Sequence, residues 1–159
     1  CLPYFLGRGT PDWNDAARGI FANISLNTKK EDFLRALVES ISYEFANGIG
    51  LMQKHVRIEE IFVNGGLSNS KVFDQILCDT LGLLVTKIGK SDATACGAFL
   101  VALKALDPTT DLSKAFEKMH HPEDRESFIP DNEREKQYKK LQKKMNDWYV
   151  RNYARAGFL

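Results

Sequence analysis

Apolar positions along the chain recur at two different periods, and the alternation between them predicts the elements. Residues 20–24 form a short apolar run holding Phe21 and ending at Ser25, which predicts a strand. Thr28-Lys29-Lys30-Glu31 reads as a capping box, with Thr28 as the N-cap and Glu31 bonding back. Phe33, Leu34, Leu37, Val38, Ile41, Phe45, Ile49 and Met52 then recur at helical spacing, predicting a long helix with one wide buried face. Gly48 and Gly50 weaken its last turn. Residues 58–63 predict a second strand, stopped abruptly by Asn64-Gly65-Gly66. Ser70 is placed as the N-cap of a helix reaching Leu81, with Val72, Phe73, Ile76, Leu77 and Leu81 facing inward and Gly82 ending it. Residues 83–88 predict a third strand. Ser91 or Asp92 then opens a helix over 93–106, which Asp107-Pro108 closes.

Strand, helix, strand, helix, strand, helix is the order from Phe21 onward. Repeated βαβ units of this kind predict the α/β class, a parallel sheet flanked by helices. Beyond Pro108 the pattern changes. Residues 112–119 predict a short helix and residues 122–130 a charged connection. A last helix from about Asp131 carries Tyr138, Leu141, Met145 and Trp148 on one stripe. Residues 1–107 are therefore expected to form the core, and 108–159 a helical extension packing on the same domain. The first twenty residues are rich in glycine, proline and aromatics (Gly7, Gly9, Pro11, Trp13, Gly19) and read as a looped opening segment.

Composition narrows the classes. A length of 159 residues suits one ordinary domain, and 43% apolar with 27% charged residues is globular composition. Lys plus Arg total 22 against 21 Asp plus Glu, so the net charge is +1 and a phosphate-driven nucleic-acid partner is not expected. No apolar run approaches the roughly 18 residues that cross a bilayer, and no membrane partner is expected. Cys1 stands where an initiating Met would, so a piece of a longer protein is expected. Cys1, Cys78 and Cys96 have neither disulfide-framework nor zinc-ligand spacing. Cys78 and Cys96 are expected to act as small buried hydrophobes, and the compartment to be reducing and cytoplasmic.

Chemistry concentrates at Val63-Asn64-Gly65-Gly66. This turn lies at the carboxyl end of a predicted parallel strand and leads to a helix N-terminus, the edge where open α/β sheets bind ligands. Two adjacent glycines lack Cβ atoms, so a flat ring or a ribose can lie on the backbone. A tight turn without a ligand is the other reading. In the small-faced run 92–98, Gly97 costs roughly 1 kcal/mol relative to Ala in a helix interior, and close packing against a helix or sheet is the expected offset. His120-His121 has no third ligand at a useful spacing, so no metal is expected. The basic run from Arg134 to Lys144 is interleaved with Glu133 and Glu135 and reads as a solvated helix face. Asp74 and Asp79 have no His or Lys partner close in sequence, and no catalytic residue is assigned.

Several stretches in order resemble one family, the FGGY carbohydrate kinases. Gly19-Ile20-Phe21-Ala22-Asn23-Ile24, seven residues, then Asp32-Phe33-Leu34-Arg35-Ala36-Leu37-Val38-Glu39 is similar to the family's C-terminal signature, departing only at Asn23, where the family has glycine. The opening segment from Leu2 to Trp13 is similar to the family's PYFxGERTPxW stretch, departing at Arg8 and Gly9. Val63 to Ser70 resembles its adenosine motif, and Asp92 to Ala98 a connecting helix of the xTALGAA type. The resemblance implies a ribonuclease-H-like lobe of the actin-like ATPase fold, with a βαβαβα core and C-terminal helices.

By the same resemblance, Gly65, Gly66 and Leu67 would line the adenine and ribose with their backbone, and Ser70 would stand near the purine. The parent would be an ATP-dependent kinase using Mg2+ and phosphorylating a sugar or polyol, with a pentulose such as xylulose favoured. The phosphate loops and the catalytic aspartate would precede Cys1, so this chain alone would supply the adenosine site and be inactive. Uncovered apolar surface near Phe5, Trp13 and Phe21 would promote a homodimer or looser self-association. Two alternatives remain: a stand-alone nucleotide-binding or interaction module, and a lobe of another actin-like ATPase.

Overall fold

A computed structural model describes residues 1–88, 93–119 and 125–153. Its elements are α1 (Lys30–Met52), β1 (Glu60–Val63), α2 (Lys71–Leu81), β2 (Leu84–Lys87), α3 (Ala93–Leu106), α4 (Leu112–Met119), β3 (Glu126–Phe128) and α5 (Asn132–Tyr153). β1 and β2 run parallel, Glu60 opposite Leu84 and Val63 opposite Lys87, with α2 as the crossover between them. The signals expected of this βαβ unit all operate. The Ser70 hydroxyl accepts the Phe73 N–H at 3.3 Å, and Gly82 ends α2 at φ +65, a conformation that favours glycine.

The third strand comes from an unexpected place. β3 lies in the stretch expected to be a charged connection, yet it pairs antiparallel with β2, Phe128 opposite Val85, and completes the order β1-β2-β3. Only Phe128 of its three residues is buried, which leaves too short an apolar pattern to read.

The run 20–24, in contrast, is not a strand. Ile20 exchanges backbone hydrogen bonds of 2.8 and 3.0 Å with Leu2 in a single bridge. Asn23 then turns to φ +61, left-handed backbone that cannot continue a strand. Helix α1 also starts one residue later than expected. The Lys29 N–H donates to Asp32 Oδ2 at 2.9 Å, while Thr28 Oγ1 accepts from the Ser25 N–H instead of capping the helix.

Two apolar clusters hold these elements together. Phe73, Leu77 and Cys78 of α2 meet Val85 and Phe128 from the sheet. Tyr43, Tyr138, Met145 and Tyr149 meet Leu2, Tyr4 and Ala17 of the opening segment. Arg8 pins that segment in place. Its guanidinium lies 4.1 Å from the Tyr149 ring centroid, and it pairs with Glu44 at 3.1 Å and Asp12 at 3.2 Å.

Some inward-facing assignments need correction. Leu34, Phe45 and Met52 on α1 and Val72 on α2 are at least half exposed, and Leu141 and Trp148 on α5 are partly exposed. Tyr149 supplies the buried position instead. Cys78 is buried, but Cys96 is only partly so; none of the three cysteines forms a disulfide. The close packing expected around Gly97 is absent among the described residues. A Cβ there would meet no atom within 4 Å, and Gly97, Ala98 and Ala102 are all exposed. Phe99, Val101 and Leu106 of that helix are exposed as well.

Burial separates two positions that helical spacing had grouped together. Leu77→Ala, at a site 3% exposed, should cost about 2–5 kcal/mol of unfolding free energy. Val72→Ala, at 69% exposure, should cost less than about 0.5 kcal/mol. Urea unfolding monitored by circular dichroism reads both.

Candidate functional site

The carboxyl ends of the parallel pair are stitched together before the chain turns. Ile88 donates its N–H to Val63 O at 3.1 Å, and Asn64 Nδ2 donates to Ile88 O at 2.7 Å. Gly65 follows at φ +104, where an L side chain is strained. Gly66 has ordinary helical angles (φ −59°, ψ −41°) and opens a short 3-10 turn over Leu67–Asn69. Backbone conformation therefore requires glycine at 65 but not at 66. A Cβ built on either glycine meets no atom within 4 Å, so the surface above the turn is open. The buried Ser68 hydroxyl donates to Gly65 O at 2.9 Å and holds the turn from beneath.

Of the four expected nucleotide-binding residues, Gly66 and Leu67 line a cleft of about 350 Å³, whereas Gly65 and Ser70 do not. Gly65, Gly66, Leu67 and Ser70 are all exposed along the turn. Ser70 accepts from the Phe73 N–H, which leaves its own hydroxyl proton available. The opposite wall of the cleft is Phe45 and Ile49 of α1, with Phe62 beside them. These wall residues were missed as site residues because helical spacing marked Phe45 and Ile49 only as core. A larger hollow of about 800 Å³ lies between α1, α2 and α5, floored by Val38, Ile76 and Tyr138, and none of the turn residues reaches it.

The acidic groups near the turn divide into two kinds. Asp79, 1% exposed, accepts from Gln75 Nε2 at 2.8 Å and from the Asp131 N–H at 2.9 Å, and faces Arg134 at 3.4 Å. That is a structural carboxylate joining α2 to α5. Asp74 is fully buried with no partner on either oxygen. Burial pushes its carboxyl up to about 6, opposed by Lys87 and reinforced by Glu126. Burial also raises the Cys78 thiol, to about 11, so it stays protonated; it donates to Phe128 O at 3.0 Å. Among the described residues no three His, Cys, Asp or Glu side chains are grouped to hold a metal. His120 and His121 lie outside the described residues, as do Ser91 and Asp92 at the start of the connecting-helix motif.

Residues 1–106 match the family model for the FGGY family of carbohydrate kinases, C-terminal domain. The chain belongs to this family. A glycerol kinase from Streptococcus uberis is 31% identical over 140 residues, covering 87% of this chain and 28% of that protein. A ligand-bound xylulose kinase from Lactobacillus acidophilus superposes with a TM-score of 0.77 at 22% identity, covering 99% of this chain and 31% of the other. A Plasmodium falciparum glycerol kinase with ADP gives 0.73 at 20% identity, covering 96% and 30%. At those identities the structural matches establish the fold, the expected α/β lobe of the actin-like ATPase kind. The chain spans less than a third of the length of these relatives.

The two glycines of the turn should separate on substitution. Gly65→Ala should lose about 1–3 kcal/mol through strain at its positive φ, whereas Gly66→Ala should stay within about 0.5 kcal/mol of the parent. Thermal unfolding of the two variants side by side checks this.

Proposed function

We propose that this chain supplies the adenosine side of an ATP-dependent carbohydrate kinase. The observation that carries the reading is the Gly65-Gly66 turn, open above both glycines at the carboxyl end of a parallel strand pair, in a chain of the FGGY family. Adenine and ribose would lie on the backbone of Gly65, Gly66 and Leu67, with the Ser70 hydroxyl offered to the purine. ATP supplies the phosphoryl group when bound. These residues orient its nucleoside end, and none of them carries a carboxylate to hold Mg2+. We assign the metal, the catalytic base and most of the sugar pocket to the part of the parent outside this chain. The parent would act in the cytoplasm, in keeping with three cysteines that form no disulfide.

The acceptor is a sugar or polyol. Xylulose is favoured by the likeness of the opening segment and Gly-Gly region to pentulose kinases, and glycerol is the competing substrate, since the curated relatives it matches include glycerol kinases. A coupled assay with the parent enzyme and a panel of pentuloses, hexonates and glycerol decides between them. The chain alone should show no turnover with any member of the panel. Turnover would mean that it contains the base.

Binding tests the site directly. Adenosine and ADP should bind this chain weakly and with similar affinity, and Gly66→Val should weaken both by about tenfold or more without lowering the unfolding midpoint. Calorimetry and thermal shift measure these. A large gain from the phosphates would favour a self-sufficient nucleotide-binding module instead. We further propose self-association through the opening segment. Trp13 is 76% exposed and Phe5 58%, while Phe21 is partly covered by Phe33. Light scattering should show a mass that rises with concentration, and Trp13→Ser with Phe5→Ser should abolish the rise.

A further inference from the structure

Asp74 departs from every other carboxylate around it. Asp79 has three partners, Glu126 accepts from Lys71 Nζ at 2.6 Å, and Glu60 accepts from Thr86 Oγ1 at 2.6 Å. Asp74 has 0% exposure and no hydrogen bond to either oxygen. A carboxylate buried without a partner is costly, whereas the neutral acid is tolerated far better. Its position matters as much as its burial. The Asp74 N–H donates to Ser70 O at 3.1 Å, and the neighbouring Phe73 N–H donates to the Ser70 hydroxyl. The last residue of the nucleotide turn is therefore held by two consecutive residues whose side chains are both buried in the fold.

We infer that Asp74 is a positioning residue for the nucleotide turn: the neutral acid holds the start of α2 against β2 and β3, and ionisation loosens it. The inference rests on the nucleotide reading of Gly65 to Ser70 and adds proton control to that site. The surrounding charges do not neutralise the carboxylate. Lys87 at the end of β2 favours its ionised form, and Glu126 on β3 opposes it. Lys71 on α2 is engaged by Glu126, Arg35 on α1 by Glu39, and Arg134 on α5 by Asp79. Cys78, one turn further along α2, is neutral. Burial outweighs Lys87, and the group titrates at about 6 rather than at 3.8. The folded state therefore holds this proton more tightly than the unfolded chain does. The stabilisation is complete below about pH 4 and is lost as the pH rises through about 6.

Adenosine is the probe, because it carries no phosphate to titrate in this range. Its dissociation constant for the wild-type chain should be about fivefold or more higher near pH 7.5 than near pH 5. Asp74→Asn should bind equally at both pH values, matching the wild type near pH 5, and Asp74→Ala serves if the amide variant folds poorly. A purely structural side chain would shift affinity by the same factor at both pH values, so a wild-type constant that does not change with pH overturns the inference. Hydrogen exchange of the amides between Gly66 and Phe73 reads the same loosening without a ligand. Near pH 7.5 these amides should exchange faster in the wild type than in Asp74→Asn, with no difference near pH 5. If adenosine fails to bind while that exchange difference appears, the nucleotide reading falls and proton control of the turn stands. If the two proteins exchange alike at both pH values, proton control falls whatever adenosine does.

Discussion

One carboxylate, Asp79, accepts from the side chain of Gln75 a turn before it and from the backbone N–H of Asp131, the residue leading into α5. At 1% exposure its oxygens depend on those donors and the facing Arg134 in place of water. The consequence spreads along α2. With its C-terminal half tied to α5, α2 presents Phe73 and Leu77 to the sheet, and the Cys78 thiol reaches both Leu83 O and Phe128 O. β2 and β3 are thereby registered against a helix whose own position is set by α1 and α5. The turn after β1 is then fixed from both directions, by strand pairing on one side and by the Ser70 cap on the other.

How much of this was legible depended on whether the cause was local. Ser70 capping α2 and Gly82 ending it are short-range effects, and both could be read from the residues themselves. So could the Gly-Gly turn, because a positive φ at 65 demands glycine whatever surrounds it. β3 could not be read. Three residues with one buried Phe carry no period, and the strand exists only because β2 offers an open edge. The loss of the strand at 20–24 has the same origin. An apolar run becomes a strand by pairing, and here only Ile20 finds a partner before Asn23 turns the chain away.

The candidate site divides in a similar way. Its backbone was legible and its walls were not. Helical spacing placed Phe45 and Ile49 on the inward face of α1, yet they border an open cleft opposite Gly66. Asp74 is the harder case. Nothing in a pattern of polar and apolar residues marks an acid that ends up sealed away from water, because that outcome depends on what β2 and β3 bring across it. The small face of α3 reads as a packing surface, but the space around Gly97 on it is open.

The contacts of Arg8, Asp12 and Asn14 with Tyr149, and of Arg18 with Tyr153, join parts of the chain that are far apart in sequence. Closing a loop of that size costs entropy that no local contact offsets in advance. On a ribosome the first twenty residues would emerge long before the helix that clasps them, so they must wait unclasped while everything between is synthesised. Leu2, Tyr4 and Ala17, buried in the finished fold, spend that interval exposed to water. This makes α5 the element whose arrival seals the opening segment away from water.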